Sequence, residues 1–245
     1  MKKLFAVLLL IAAGNTLLTA GHGELPPQAF LSLARSRCSM QSSFADLRGL
    51  ATHLRKNQGG ASAYPIRFII RFNSKTVEAA ITLPNKEKHY YQQDMQSGKQ
   101  QISGNVKSQD SLLNKLGFRV EDMALSFLNY TVKQELPSET VKTVKCRVLY
   151  LLSPEGEPVK AWISEEYLFP LKAEFFARNS SINSKPERSL EITGFKKINN
   201  YYVATDIALF SSTYRTRIAF SDCVVLKADD PQGDRVFKSV KNGDD

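Results

Sequence analysis

"WISEEYLFPLKAEFF", residues 162–176, decides the fold. It reads as strand, short turn, strand. Along its second arm Leu171, Ala173 and Phe175 alternate with Lys172 and Glu174, the period of two that sends apolar side chains to one face of a sheet. The same reading extends in both directions. In "PIRFIIRF", residues 65–72, Ile66, Phe68, Ile70 and Phe72 share a face while Arg67 and Arg71 share the other with Ile69. Strands are expected over 77–83, 88–94 and 99–103, divided by the turn residues Pro84-Asn85 and Ser97-Gly98. After the quoted hairpin, strands at 189–198 and 201–210 are joined by Asn199-Asn200, a pair that tolerates the positive φ of a tight turn.

Strands at 132–135, 141–152, 159–164 and 213–225 complete the set, giving about ten or eleven antiparallel strands in a mainly β (α+β) chain. Two interruptions have helical spacing. Residues 26–56 place Phe30, Leu33, Ala34 and Cys38, then Phe44, Leu47, Leu50 and Leu54, at helical intervals, with Gly49 as a weak point. Midway, Leu112, Leu113 and Leu116, then Ala124, Phe127 and Leu128, predict two short helices. A single sheet this wide must curl, and the helices are the material available to cover its concave side. Either a filled core or a cavity satisfies that requirement.

The chain opens with Lys2 and Lys3, an apolar run over 4–13 and small residues up to Ala20. This is the layout of a secretory leader, too short to span a bilayer, with a cut expected near Ala20. The organisation is then a leader over 1–20, one domain over 21–226, and a polar, loose tail over 227–245. The formal net charge of +9 includes the two leader lysines. Its basic residues are not concentrated or interleaved with aromatics as a nucleic-acid face requires. Cys38, Cys146 and Cys223 form an odd count in an oxidising compartment, suggesting one disulfide and one free thiol with the pairing open.

Catalytic patterns are missing from the sequence. His22, His53 and His89 form no H-E-x-x-H; G-x-S-x-G, a phosphate loop and metal-ligand spacing do not occur. Glu121-Asp122 and Glu165-Glu166 are adjacent pairs rather than opposed carboxylates. The expectation is a protein without enzymatic activity, cofactor or metal.

A resemblance now enters on particular residues. "FLNYTVKQELPSETVKTVKCRVLYLLSP", "VKAWISEEYLFPLKAEFFARNSS" and "LEITGFKKINNYYVATDIAL" present a Trp-bearing strand, a turn, a "PLKAE-aromatic" strand and a long hairpin. Together they cover a little under half of the chain. This pattern resembles the outer-membrane lipoprotein-sorting proteins, relatives of the LolA-type periplasmic carriers. The resemblance implies an unclosed, strongly bent antiparallel half-barrel with a helical lid. It further implies a periplasmic, monomeric carrier whose apolar hollow receives lipoprotein acyl chains or a lipid, with membrane-bound donor and receptor proteins as partners. Another use of the same fold is a regulatory or structural envelope module that senses lipoproteins or binds a protein.

By alternation, the hollow is expected to be lined by Phe68, Ile70, Phe72, Val148, Leu171, Phe175, Val203 and Ile207. In the resembling carriers a strand arginine contacts the lid. Arg67 and Arg71 stand on a suitable strand here, but no motif aligns either, and both read as a solvated face. Trp162 shares a face with Lys160 and Ser164, a rim position as much as a lipid contact.

Overall fold

The structure, a computed structural model, describes residues 24–39, 42–56, 59–107, 109–199 and 201–242. The leader expected over 1–20 and the turn residue Asn200 lie outside them. In chain order the elements are α1 (Pro27–Ser39), β1 (Ser43–Arg55), β2 (Ala61–Phe72), β3 (Thr76–Thr82), β4 (Lys88–Asp94) and β5 (Gln100–Gly104). Then come the short helices α2 (Leu112–Lys115) and α3 (Val120–Met123) and a 3-10 turn at Ser126–Asn129. They are followed by β6 (Thr131–Val141), β7 (Val144–Leu152), β8 (Pro158–Ser164), β9 (Pro170–Phe175), β10 (Arg188–Ile198), β11 (Tyr201–Ser211), β12 (Tyr214–Lys227) and α4 (Pro231–Asn242).

The twelve strands among the described residues belong to one sheet, ordered β5-β4-β3-β2-β1-β12-β11-β10-β9-β8-β7-β6, and every pair is antiparallel. The order explains the interior. The chain begins at the middle of the sheet with β1, meanders out to the edge strand β5, and must then reach the opposite edge, β6. The crossover, described over 105–107 and 109–130, therefore runs over the concave side, and β12 returns to close beside β1. Because β5 and β6 do not pair, the barrel stays open. Apolar residues of the crossover meet the sheet in two clusters. Leu113, Leu116, Phe118, Val120 and Ala124 pack on β1–β4 and β10–β12. Leu125, Phe127 and Leu128 join Phe30, Leu31 and Ala34 of α1 over the concave side of β7–β9.

β1 corrects the helical reading of 26–56, which holds only for Pro27–Ser39. Ala45, Leu47 and Ala51 face inward and are buried, whereas Leu50 and Leu54, counted as core by the helical spacing, are exposed. β1 is flanked on both sides, with Leu47 opposite Phe68 in β2 and Cys223 in β12. These two ladders satisfy its backbone and override its local spacing. Gly49 sits at a bulge where a side chain would run into the Ala219 carbonyl oxygen. It is a site of close strand approach rather than a helix break.

Within the tail expected to be loose, Pro231–Asn242 is helical. α4 covers the convex face, with Phe237 and Val240 buried against Phe44, Ile69 and Ala80. Arg71 is held there by Asp234 at 2.7 Å and Glu78 at 3.6 Å, with its guanidinium 5.2 Å from the Phe237 ring centre. The cysteines correct a third expectation, since all three are free thiols. Cys38 lies in α1, Cys146 packs on the convex face with Trp162, and Cys223 adjoins the concave cluster.

A candidate lipid hollow and its roof

Between the inner faces of β1, β2, β10, β11 and β12 lies a cavity of about 100 Å³. Its walls include Ala45, Leu47, Phe68, Ile70, Leu190, Ile192, Ile207 and Phe220, and its roof is Cys38 of α1 with Phe118, Asp122 and Leu125 of the crossover. Phe72, Tyr201, Tyr202, Val203 and Phe169 also line it. Of the eight residues expected from alternation, Phe68, Ile70, Phe72, Val203 and Ile207 are therefore brought together. Phe175 stands at the border of the two concave clusters, its ring 6.0 Å from that of Phe127.

Val148 and Leu171 do not belong to the hollow. They cluster with Cys146 and Trp162 on the other side of the sheet, while Leu149, Leu151, Ala161 and Ala173 face α1. A bulge between Trp162 and Ile163 shifts the pairing beside Leu171, so simple alternation fails at that point. Trp162 itself is buried beneath two lysines. Lys160 and Lys172 lie 4.5 and 4.3 Å from its ring centre, and its indole N–H donates to Glu139 at 2.9 Å. Trp162 and its neighbours thus form a packed outer rib.

Among the contacts that hold the crossover, three come from buried groups on or beside the sheet. Glu87, from the turn before β4, accepts the backbone N–H of Leu112 at 2.8 Å and of Leu113 at 3.1 Å, capping the first turn of α2. Thr216 of β12 donates to the Leu116 carbonyl at 2.6 Å. The third tether reaches the roof itself: Arg188, at the start of β10, donates to both carboxylate oxygens of Asp122 at 2.7 and 2.8 Å. The Arg188 guanidinium also lies 3.7 Å from the Phe175 ring centre. Asp122 further accepts the Arg119 N–H at 2.9 Å, fixing the start of α3. Burial is the largest single influence and acts to lower the Arg188 pKa, but the Asp122 charge and its hydrogen bonds, with Tyr214 and Glu121, together outweigh it and hold the guanidinium above its ordinary range. Arg67 and Arg71, the arginines weighed from the sequence, are elsewhere. Arg67 bonds Asp46 at 2.9 Å and Arg71 pairs beneath α4. Nothing in the sequence links Arg188 to Asp122, which stand 66 positions apart.

Behind the ion pair a second, wider cleft of about 640 Å³ is lined by Arg119, Glu121, Arg188, Tyr214 and His89 among others. Burial pushes the Glu121 carboxyl above its usual range. Ser111, His89 and Glu87 adjoin this cleft and contain the residue types of a hydrolytic relay, but their geometry is that of a helix cap. Ser111 Oγ and His89 Nε2, 3.3 Å apart, both converge on Glu87 Oε1, at 2.8 and 2.7 Å, so a single imidazole nitrogen meets hydroxyl and acid together, where a relay uses the two ring nitrogens to join them in series. Ser111 is the N-cap and accepts the Asn114 N–H at 3.2 Å.

A wide, unclosed antiparallel sheet wrapped around an apolar hollow and roofed by short helices defines a class of half-barrel folds. The chain has the LolA-like fold. It is similar, at 13% identity and a TM-score of 0.59, to an outer membrane lipoprotein-sorting protein domain from Vibrio parahaemolyticus, covering 87% of this chain and 97% of that one. A LolA superfamily protein from Nitrosomonas europaea matches at 17% identity and a TM-score of 0.55, again over 87% and 97%. A DUF1329 family protein from Desulfovibrio piger matches at 13% identity and a TM-score of 0.55, over 81% and 92%. No family model matches the chain, and no curated protein matches it.

Proposed function

We propose that the chain is a non-enzymatic periplasmic carrier that shelters the acyl chains of a lipoprotein or lipid in the hollow during outer-membrane lipoprotein sorting. The supporting observation is the apolar hollow whose roof is pinned to the sheet by one buried ion pair, Arg188–Asp122. In the closed state it is too small for such cargo. An engineered cavity of roughly 150 Å³ takes only a benzene, and this one is about 100 Å³. Loading therefore requires residues 118–125 to lift. Each methylene transferred from water contributes roughly 0.8 kcal/mol, so an acyl chain of ordinary length contributes on the order of 10 kcal/mol toward parting the ion pair and displacing the roof. Phe68, Ile70, Phe72, Val203 and Ile207 would contact the cargo, and a membrane-bound donor and receptor would load and unload it.

The small closed volume also favours a second reading, a module that keeps its interior filled and binds a protein partner with its surface. Titration with a fluorescent fatty acid separates the two. A carrier binds the probe, and Ile207→Trp, which fills the hollow, weakens binding at least tenfold. Absence of probe binding by the folded wild-type chain overturns the carrier reading.

A further inference from the structure

Phe169, Tyr201, Tyr202 and Val203 of the hollow's lining belong to a tip of unusual composition. β10 and β11 pair with each other up to Ile198 opposite Tyr201, but β9 pairs with β10 only over Arg188–Glu191, and β12 pairs with β11 only over Asp206–Phe210. Residues 193–199 and 201–205 thus project as a two-stranded ribbon. Bulges at Gly194 accompany its departure, and a side chain there would press on Asp206. One face of the ribbon, with Ile198, Tyr201 and Val203, packs against the concave cluster. The other carries Phe195 and Tyr202, which are 40% and 59% exposed. The turn between β8 and β9 meets this second face. Phe169 stacks edge-on to Phe195 with ring centres 5.3 Å apart, and Tyr167, 52% exposed, neighbours Tyr202.

The charges of the tip favour one sign. Lys196 and Lys197 are exposed on the ribbon, and Lys142 in the β6–β7 turn reaches the Thr193 carbonyl at 2.8 Å. Of the nearby acids, Glu165 is tied to Lys145 at 2.9 Å and Asp206 to Arg217 at 2.7 Å, Asp222 lies with Lys196 beside Cys223, and Glu166 keeps its charge while accepting from the Tyr167 hydroxyl. Exposed Tyr and Phe side chains with Lys197 on their face and Lys196 on the opposite one, next to Tyr202 and Phe169 of the cavity lining, match the interface of a bilayer. There amphipathic rings settle among headgroups and lysines pair with anionic lipid.

We infer that the tip formed by Tyr167, Phe195, Tyr202, Lys142, Lys196 and Lys197 docks the chain on an anionic lipid bilayer, with the Tyr202 and Phe169 side of the hollow facing the membrane. The inference rests on the carrier reading for its purpose but not for its test. Contact is transient: three aromatic rings and a few lysines attach a protein reversibly, and nothing at the tip is long enough to insert.

The test is flotation of the processed chain, recovered from the envelope, with vesicles of phosphatidylcholine alone or with 30% phosphatidylglycerol added. The same preparations are titrated in solution with the fluorescent fatty acid. The expected result is flotation with the anionic vesicles, loss at high salt, and about 30-fold weaker partitioning for Lys196→Gln/Lys197→Gln, since each lysine near such a surface contributes about a factor of five. Tyr167→Ser weakens binding further, and both variants keep wild-type affinity for the soluble probe. Equal flotation of wild type and the lysine variant, or equal binding to neutral vesicles, overturns the inference. Failure on both vesicles, with the tip variants still losing cargo handover, overturns it in favour of a protein receptor. Probe binding without flotation defeats the docking alone, and flotation without probe binding defeats the carrier reading alone.

Discussion

Replacing Asp122 by Ala should be among the most damaging single changes in the roof. Arg188 and Asp122 keep only 9% and 2% of their side-chain surface exposed, so the variant leaves a largely buried guanidinium without its carboxylate, with the Phe175 ring, Tyr214 and Glu121 as its remaining neighbours. Removing one partner of a buried pair costs about 3–5 kcal/mol, chiefly because the other charge is left uncompensated. For a chain of this size that corresponds to a fall in Tm of roughly 6–20 °C. Replacing both partners, Asp122→Leu with Arg188→Met, removes the stranded charge. It should recover all but about 1 kcal/mol, the deficit being the lost acceptor for the Arg119 N–H. Urea unfolding of wild type, the single variants and the double variant measures this. Hydrogen exchange localises it, with protection falling first in residues 118–128 and later in β1, β2 and β12. A single-variant loss under about 1 kcal/mol, or a double-variant loss equal to the sum of the singles, would refute the assignment of the ion pair as the roof's pin.

Glu121 supplies a pH prediction. Burial raises its carboxyl pKa in the folded chain, so across the window above the ordinary carboxylate range the folded state holds a proton that the unfolded state has lost. Its contribution to stability therefore falls as pH rises through that window. Glu121→Gln should flatten this dependence and stabilise the chain at neutral pH, as unfolding curves at several pH values would show. The Cys38 thiol, pushed up to about 12 by burial, should resist iodoacetamide while the roof is shut and react faster in Asp122→Ala; mass spectrometry of the labelled peptide reads the difference, and equal rates would argue against a moving roof. At Gly49, substitution by Ala should cost about 1–3 kcal/mol through its collision with the Ala219 carbonyl, measurable by urea unfolding. A neutral result would mean that β1 and β12 are less closely apposed.

The hairpins were legible because their alternation is local: β2, β9, β10 and β11 each write apolar and polar residues in turn, and Asn199 takes the expected positive φ of 48°. β1 was not. Its inward face uses Ala45, Gly49 and Ala51, too small to mark a period, while Leu50 and Leu54 point outward and imitate a helix. Only the ladders to β2 and β12 decide the matter, and the β12 partners lie far along the chain. The hollow was half legible for a related reason. Alternation divides a strand into two sets but does not say which set faces in. On β7 both sets are apolar, since Val148 helps to build the Trp162 rib and Leu149 the core under α1. The pin joining Arg188 to Asp122 depends on the crossover passing over β10, a feature of strand order that no single segment carries.

Native mass spectrometry of the chain purified from the envelope tests the carrier claim most directly. A wild-type population that retains an acyl-bearing molecule, with Ile207→Trp recovered empty, is the predicted result. Cargo-free wild type that also ignores the fatty-acid probe would contradict it, leaving the hollow as ordinary core.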